Sequence, residues 1–167
     1  MGDAMTSAIS TAGPTIDGLA VIPLRAIVDD RGAVLHMLRA DAPDFGAFGE
    51  CYFSEINPGV IKGWKRHRRQ TQNIAVPIGR VRFVIYDARE SSSTRGCLDV
   101  VELGRPDAYA RLRIPPMLLY GFTCTSELPA LVVNCADIPH DPAESDTVSI
   151  EEVDNSRALE LLRGGDA

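Results

Sequence analysis

The segment Lys62-Gly63-Trp64-Lys65-Arg66-His67-Arg68-Arg69-Gln70 gathers five lysine and arginine side chains into residues 62 to 69 of a chain whose net charge is -6. Cations this dense repel one another unless anions sit among them. A phosphate or diphosphate would fill that place through charge-assisted hydrogen bonds. As a strand, the segment sends Lys65, His67 and Arg69 to one face and Trp64, Arg66 and Arg68 to the other. The polar run Gln70-Thr71-Gln72-Asn73 that follows suits the wall of a ligand pocket. The competing reading is a solvated edge strand, because sheet edges are commonly blunted with lysine and arginine.

Lys65 has two readings: a neutral amine, favoured by the positive charge around it, that accepts a proton, or an ammonium that anchors an anion. His67 and His140 belong to the one residue type that exchanges protons near neutral pH, and Tyr120 offers a phenol. Each also has a plainer role. His67 can be a structural hydrogen-bonding residue, His140 a turn residue before Asp141-Pro142, and Tyr120 a core residue with its hydroxyl at the surface. His36 sits in an apolar run and reads as structural. The three histidines show no His-x-His spacing, so no metal and no other cofactor is expected.

The elements that must position these residues are short. Apolar runs at 19–29, 32–38, 50–56, 72–87, 97–103, 109–114 and 130–136 are separated by turn residues such as Asp29-Asp30-Arg31-Gly32, Asn57-Pro58-Gly59 and Pro115-Pro116. Many short strands at this spacing predict a sandwich or barrel. In Tyr109-Ala110-Arg111-Leu112-Arg113-Ile114 the arginines alternate with apolar residues, the pattern of a strand with one wet face. The stretches between strands are too short for the helices a parallel sheet needs. One helix is predicted at the end, from Glu151 to Arg163, with Val153, Ala158, Leu159, Leu161 and Leu162 as its apolar stripe and Gly164-Gly165 as its stop. The fold class is therefore all-β, with residues 1–17 as a disordered arm and 18–167 as one domain.

At 167 residues the chain is long enough to bury a full core. Its acidic balance argues against a nucleic-acid partner. No run approaches the roughly 20 apolar residues of a membrane span, and the first residues lack the pattern of a secretory signal. Cys51, Cys97, Cys124 and Cys135 form no CxxC pair, which fits free thiols in a cytoplasmic protein.

Several pieces in order resemble the dTDP-4-dehydrorhamnose 3,5-epimerase family. They are Asp30-Arg31-Gly32, Gly59-Val60-Ile61-Lys62-Gly63-Trp64, Val76-Pro77-Ile78-Gly79-Arg80-Val81 running into Tyr86-Asp87-Ala88-Arg89, then Ile114-Pro115-Pro116, Gly121-Phe122 and His140-Asp141-Pro142. The resemblance implies a cupin-type jelly-roll barrel, a homodimer that shares strands, no metal, and a nucleotide-sugar pocket inside the barrel. It implies that Arg31 contacts the nucleotide phosphates and that Lys62 belongs to the pocket wall. Asp87 and Arg89 match the family's Asp-x-Arg element. The departures are specific. Lys65 stands where the family has its catalytic histidine, Asn134 where it has its catalytic tyrosine, Tyr120 where a histidine precedes Gly-Phe, and Gln72 where a pocket lysine is found.

The activity so implied is epimerisation or isomerisation of a nucleoside-diphosphate 4-keto-6-deoxy sugar, in deoxysugar or surface-polysaccharide synthesis. A base removes the proton beside the ketone, a charge holds the enolate oxygen, and an acid returns the proton on the other face. Lys65, Tyr120 and His67 are the catalytic candidates. Arg31, Lys62, Gln72, Asp87, Arg89, Asn134 and His140 are the expected substrate contacts. The alternative is a binding module of the same fold that holds a nucleotide sugar without turning it over.

Overall fold

The computed structural model describes residues 14–149 and 156–165. Among the described residues twelve strands are followed by one helix: β1 (Ala20–Pro23), β2 (Ala26–Asp29), β3 (Gly32–Leu35), β4 (Glu50–Ile56), β5 (Ile61–His67), β6 (Gln72–Ile78), β7 (Arg80–Tyr86), β8 (Leu98–Gly104), β9 (Ala110–Ile114), β10 (Leu119–Cys124), β11 (Ala130–Ala136), β12 (Ser145–Thr147) and α1 (Ser156–Leu162). The first sheet runs β1-β9-β6-β11-β4 and the second β12-β5-β10-β7-β8, while β2 and β3 form a separate hairpin. Every strand pairing is antiparallel. This is the expected jelly roll.

Alternation decides what each sheet buries. Ile74 and Val76 of β6, Leu112 and Ile114 of β9, and Ala130 and Val132 of β11 meet Val81, Phe83 and Ile85 of β7 in one apolar cluster between the sheets. Each of the larger of these side chains contributes about 1.5–3 kcal/mol on burial. The outer face of the second sheet carries a smaller cluster, where Trp64 and Val84 pack against Ala158, Leu161 and Leu162 of α1. The helix therefore lies against the back of the second sheet. Its predicted start, Glu151 to Asn155, lies outside the described residues.

Four details differ from the sequence reading. Residues 14–17, assigned to the arm, are fastened to the body: Asp99 accepts the N–H of Thr15 at 2.8 Å and of Ile16 at 2.8 Å, and Ile16 is buried in the core. The run 72–87 divides at Gly79, whose φ of 77° suits the turn between β6 and β7. β10 lies outside the apolar runs read from the sequence, with Gly121 in its middle. A Cβ at Gly63 would lie 2.7 Å from the Gly121 Cα, so the two glycines let β5 and β10 approach closely. The arginine face of β9 is not wet either. Arg111 is buried, donating to Asn73 Oδ1 at 2.6 Å and to both carboxylate oxygens of Asp44 at 2.9 and 2.7 Å. That pairing holds the connection between β3 and β4 against the first sheet.

Candidate active site

Trp64 is fully buried against α1 and its neighbour Arg66 pairs outward with Asp146, so the alternation of β5 turns Lys65 and His67 toward the barrel. β10 runs alongside, with Tyr120 directly opposite Lys65. Tyr120 is buried among the core residues, and its hydroxyl lies 3.3 Å from His67 Nε2. On the other side of the imidazole, Nδ1 lies 3.1 Å from Glu144 Oε2. Glu144 is itself buried. Its other oxygen accepts the N–H of Gln70 at 2.9 Å and that of Arg69.

These contacts fix the protonation pattern. Burial opposes ionisation of Glu144, but the two backbone N–H groups and His67 outweigh it and hold its pKa below the usual carboxylate value. An ionised carboxylate only accepts, so His67 Nδ1 carries the proton and donates to it. Nε2 is then the free base, and the Tyr120 hydroxyl donates to it. Burial lowers the His67 pKa below that of an ordinary histidine, against the raising effect of Glu144. At neutral pH the ring is an uncharged base with a proton-holding phenol beside it, because burial also pushes the Tyr120 pKa up.

Facing these residues from the first sheet is a chain of buried amides. Gln70 Nε2 donates to Ile138 O at 2.7 Å, and Gln72 Nε2 donates to Gln70 Oε1 at 2.6 Å. Asn134 Nδ2 donates to Gln72 Oε1 and, at 2.8 Å, to the hydroxyl of Tyr52. Tyr52 shares its face of β4 with Ile56, a core residue. Its phenol pKa is raised, first by burial, and its charge would weigh on Tyr120. Two phenols and one imidazole thus come from two facing sheets.

Among the substrate contacts expected from the sequence, Gln72 and Asn134 belong to this network. Lys62 lies at the edge of β5, donating to Ser54 Oγ at 3.1 Å and Glu55 O at 2.6 Å. Lys65 and His140 are exposed and close enough to His67 to affect its ionisation. The structure does not bring the other three into the cluster. Arg31 stands at the tip of the β2–β3 hairpin with a side chain 85% exposed, paired with Asp29. Asp87 is fully buried, and its carboxylate accepts from Arg89 at 2.8 Å, Ser92 at 2.6 Å and Thr94 at 2.7 Å. Arg89 donates in addition to Asp17 O at 2.9 Å. Every acceptor position of the Asp87 carboxylate is used within the protein, so Asp87 and Arg89 form a structural latch here.

The crowded cations also find partners the sequence did not disclose. Arg66 and Arg68 pair with Asp146 of β12 at 2.9 and 2.7 Å, and Arg69 with Asp141 at 3.8 Å. The carboxylates of residues 141–146 supply the counter-charge, so the density of this segment needs no bound anion. Glu144 and Tyr52 join the contacts around His67 and Asn134, and sequence reasoning missed both. Glu144 follows a turn of no recognisable pattern. Tyr52 is an ordinary strand aromatic, and only its register opposite Asn134 distinguishes it.

Comparison with known proteins gives a consistent result. Residues 14–158 match the family model described as dTDP-4-dehydrorhamnose 3,5-epimerase. The crystal structure of a dTDP sugar isomerase from Desulfovibrio desulfuricans G20 resembles this chain with a TM-score of 0.83 and 49% identity, over 89% of this chain and 96% of that one. The spore coat polysaccharide biosynthesis protein SpsL of Bacillus subtilis (strain 168) is 33% identical over 131 residues, 78% of this chain and 86% of its own length. The probable low-salt glycan biosynthesis epimerase of Haloferax volcanii is 33% identical over 123 residues, 72% of this chain and 78% of its own.

Proposed function

This chain belongs to the dTDP-4-dehydrorhamnose 3,5-epimerase family, and on that premise we propose that it epimerises a nucleoside-diphosphate 4-keto-6-deoxy sugar during polysaccharide synthesis. The observation that carries the reading is His67 held between Glu144 and Tyr120 at 3.1 and 3.3 Å. Loss of the family histidine at position 65 leaves a base two residues along the same face of β5. A module that only binds has no need of an oriented, uncharged imidazole next to a buried phenol.

His67 Nε2 takes the proton from the carbon beside the ketone. Glu144 keeps the ring in the right tautomer and steadies the imidazolium that forms. Lys65, at the mouth beside His67, holds the developing enolate oxygen. His67 and Tyr120 touch each other, so they serve the same side of a sugar ring. The returning proton must come from the opposite side if the centre is to invert. Tyr52, on the facing sheet with its phenol pKa raised, delivers it, while Tyr120 reprotonates or relays on the side of His67. Gln72, Asn134 and His140 line the wall around the sugar, and Lys62 the rim.

The nucleotide end calls for more cationic contacts than Lys62 and Lys65. Arg31 meets this need from a second copy of the chain. The β2–β3 hairpin exposes Ile27, Val28 and Val34, and an isolated two-stranded hairpin is marginal in water. A homodimer covers those residues and carries Arg31 toward the neighbouring site.

The reading is tested by supplying nucleoside-diphosphate 4-keto-6-deoxyhexoses and following the sugar-ring couplings by NMR. Conversion to an epimer at a carbon adjoining the ketone is expected, with Tyr52→Phe slower by roughly 100-fold. Tight binding without conversion for every nucleotide tried would replace the epimerase with the binding module.

A further inference from the structure

Cys51 of β4 and Cys135 of β11 lie directly opposite each other. Both line a cavity of about 520 Å³ on the outer face of the first sheet, away from the amide chain of the candidate active site. Cys51 is exposed and Cys135 buried, and both thiols are free.

The register gives this pair a special geometry. Residues opposite one another in antiparallel strands alternate between hydrogen-bonded and non-hydrogen-bonded pairs. The carbonyl of Cys135 accepts Asn73 Nδ2 on β6 at 3.1 Å, so its backbone polar groups point to β6 and away from β4. The next residue does the reverse, because Ala136 O accepts the N–H of Gly49, just before β4, at 2.8 Å. Cys51 and Cys135 therefore form a non-hydrogen-bonded pair, the kind with Cα atoms about 4.5 Å apart. That separation falls within the range a disulfide spans. Cys124, in contrast, is enclosed by Ser126 and the Leu128 carbonyl.

We propose that Cys51 and Cys135 are a redox-active dithiol that closes to an intrachain disulfide by exchange with a low-molecular-weight disulfide such as oxidised glutathione. The exposed Cys51 thiolate attacks one sulfur of the small disulfide, breaks its S–S bond and releases one thiolate. Cys135 then gives up its proton and attacks Cys51 Sγ, forming the protein disulfide and releasing the second thiolate. The two protons lost by the cysteines end on the two small thiols, so two protein thiols are oxidised and one small disulfide is reduced. Burial, with Cys51 adding to it, pushes the Cys135 thiol up to about 12, which makes the second attack the slow step and one that quickens with pH. The adjoining rung carries Asn134 and Tyr52 on the opposite face, so oxidation fastens β4 to β11 beside the pocket.

The native chain is equilibrated in glutathione buffers from fully reduced to fully oxidised, quenched by alkylation and digested for mass spectrometry. The expected result is loss of two hydrogens per chain, a single Cys51–Cys135 cross-linked peptide within one chain, and full reversal by dithiothreitol. Cys51→Ser should abolish the cross-link, and Cys135→Ser should stop at a glutathione adduct on Cys51. A native protein that keeps both thiols alkylatable, that accumulates only the Cys51 adduct, or that joins Cys51 to another chain would overturn the proposal.

Discussion

His67 is the residue on which the proposed chemistry turns, and its ionisation gives a direct handle on that role. Burial lowers its pKa while Glu144 raises it. A base must be unprotonated, so kcat/KM should rise along an acid limb centred below about pH 6.5, the ordinary histidine value. Glu144→Gln removes the charge that raises the pKa. The limb should move to still lower pH while kcat falls by roughly 10- to 100-fold. A purely structural Glu144 would lower the rate without moving the limb. The sequence disclosed Lys65 and His67 as polar groups at strand spacing on one stretch of chain, and Tyr120 as a phenol before Gly121. It did not disclose Glu144, whose 77-residue separation from His67 leaves no local pattern. Nor could it reveal that Asp141 and Asp146 neutralise the arginines, since charge partners across strands are set by register.

Among the elements, the turn after β7 does more than connect strands. Asp87 binds Arg89, Ser92 and Thr94, and Thr94 and Arg89 in turn hold Asp17 at 3.0 and 2.9 Å. The Arg89 guanidinium keeps the Asp87 carboxyl far below its usual range, with Ser92 and Thr94 assisting against burial. A carboxyl with a lowered native pKa adds stability that is complete above its unfolded value, near pH 4, and lost as pH falls toward the native value. Asp87→Asn should therefore cost about 2–4 kcal/mol at neutral pH in urea denaturation. The difference from the parent protein should shrink as pH drops below about 4. A constant difference down to pH 2 would remove the ionised latch. Most strands were legible from their alternating apolar residues. β10 was hidden by Gly121 and β12 by its polarity, because close backbone approach and ion pairing hold those two strands. Arg111 misled for a related reason: alternation tells which residues share a face, and a covering loop anchored by Asp44 decides whether that face is wet.

For the whole molecule, strand number and spacing pointed to a sandwich or barrel and the family resemblance to a jelly roll, whose two sheets carry Tyr52 on β4 and His67 on β5. The hairpin that carries Arg31 leaves Val28 and Val34 66% and 61% exposed, which a second copy would cover. Replacing both by lysine should turn a species of twice 18.1 kDa into one of 18.1 kDa in sedimentation, and the same variant should lose turnover through absence of the neighbouring Arg31. A parent protein that sediments at the single-chain mass would remove the dimer. The account rests above all on proton removal by His67. Its most direct measurement is deuterium entry from D2O into a nucleoside-diphosphate 4-keto-6-deoxyhexose, followed by NMR for the parent chain and for His67→Asn. The expected result is exchange at a carbon beside the ketone, slowed by roughly 100-fold or more in the variant while its melting temperature holds. Exchange at an undiminished rate in folded His67→Asn would contradict it.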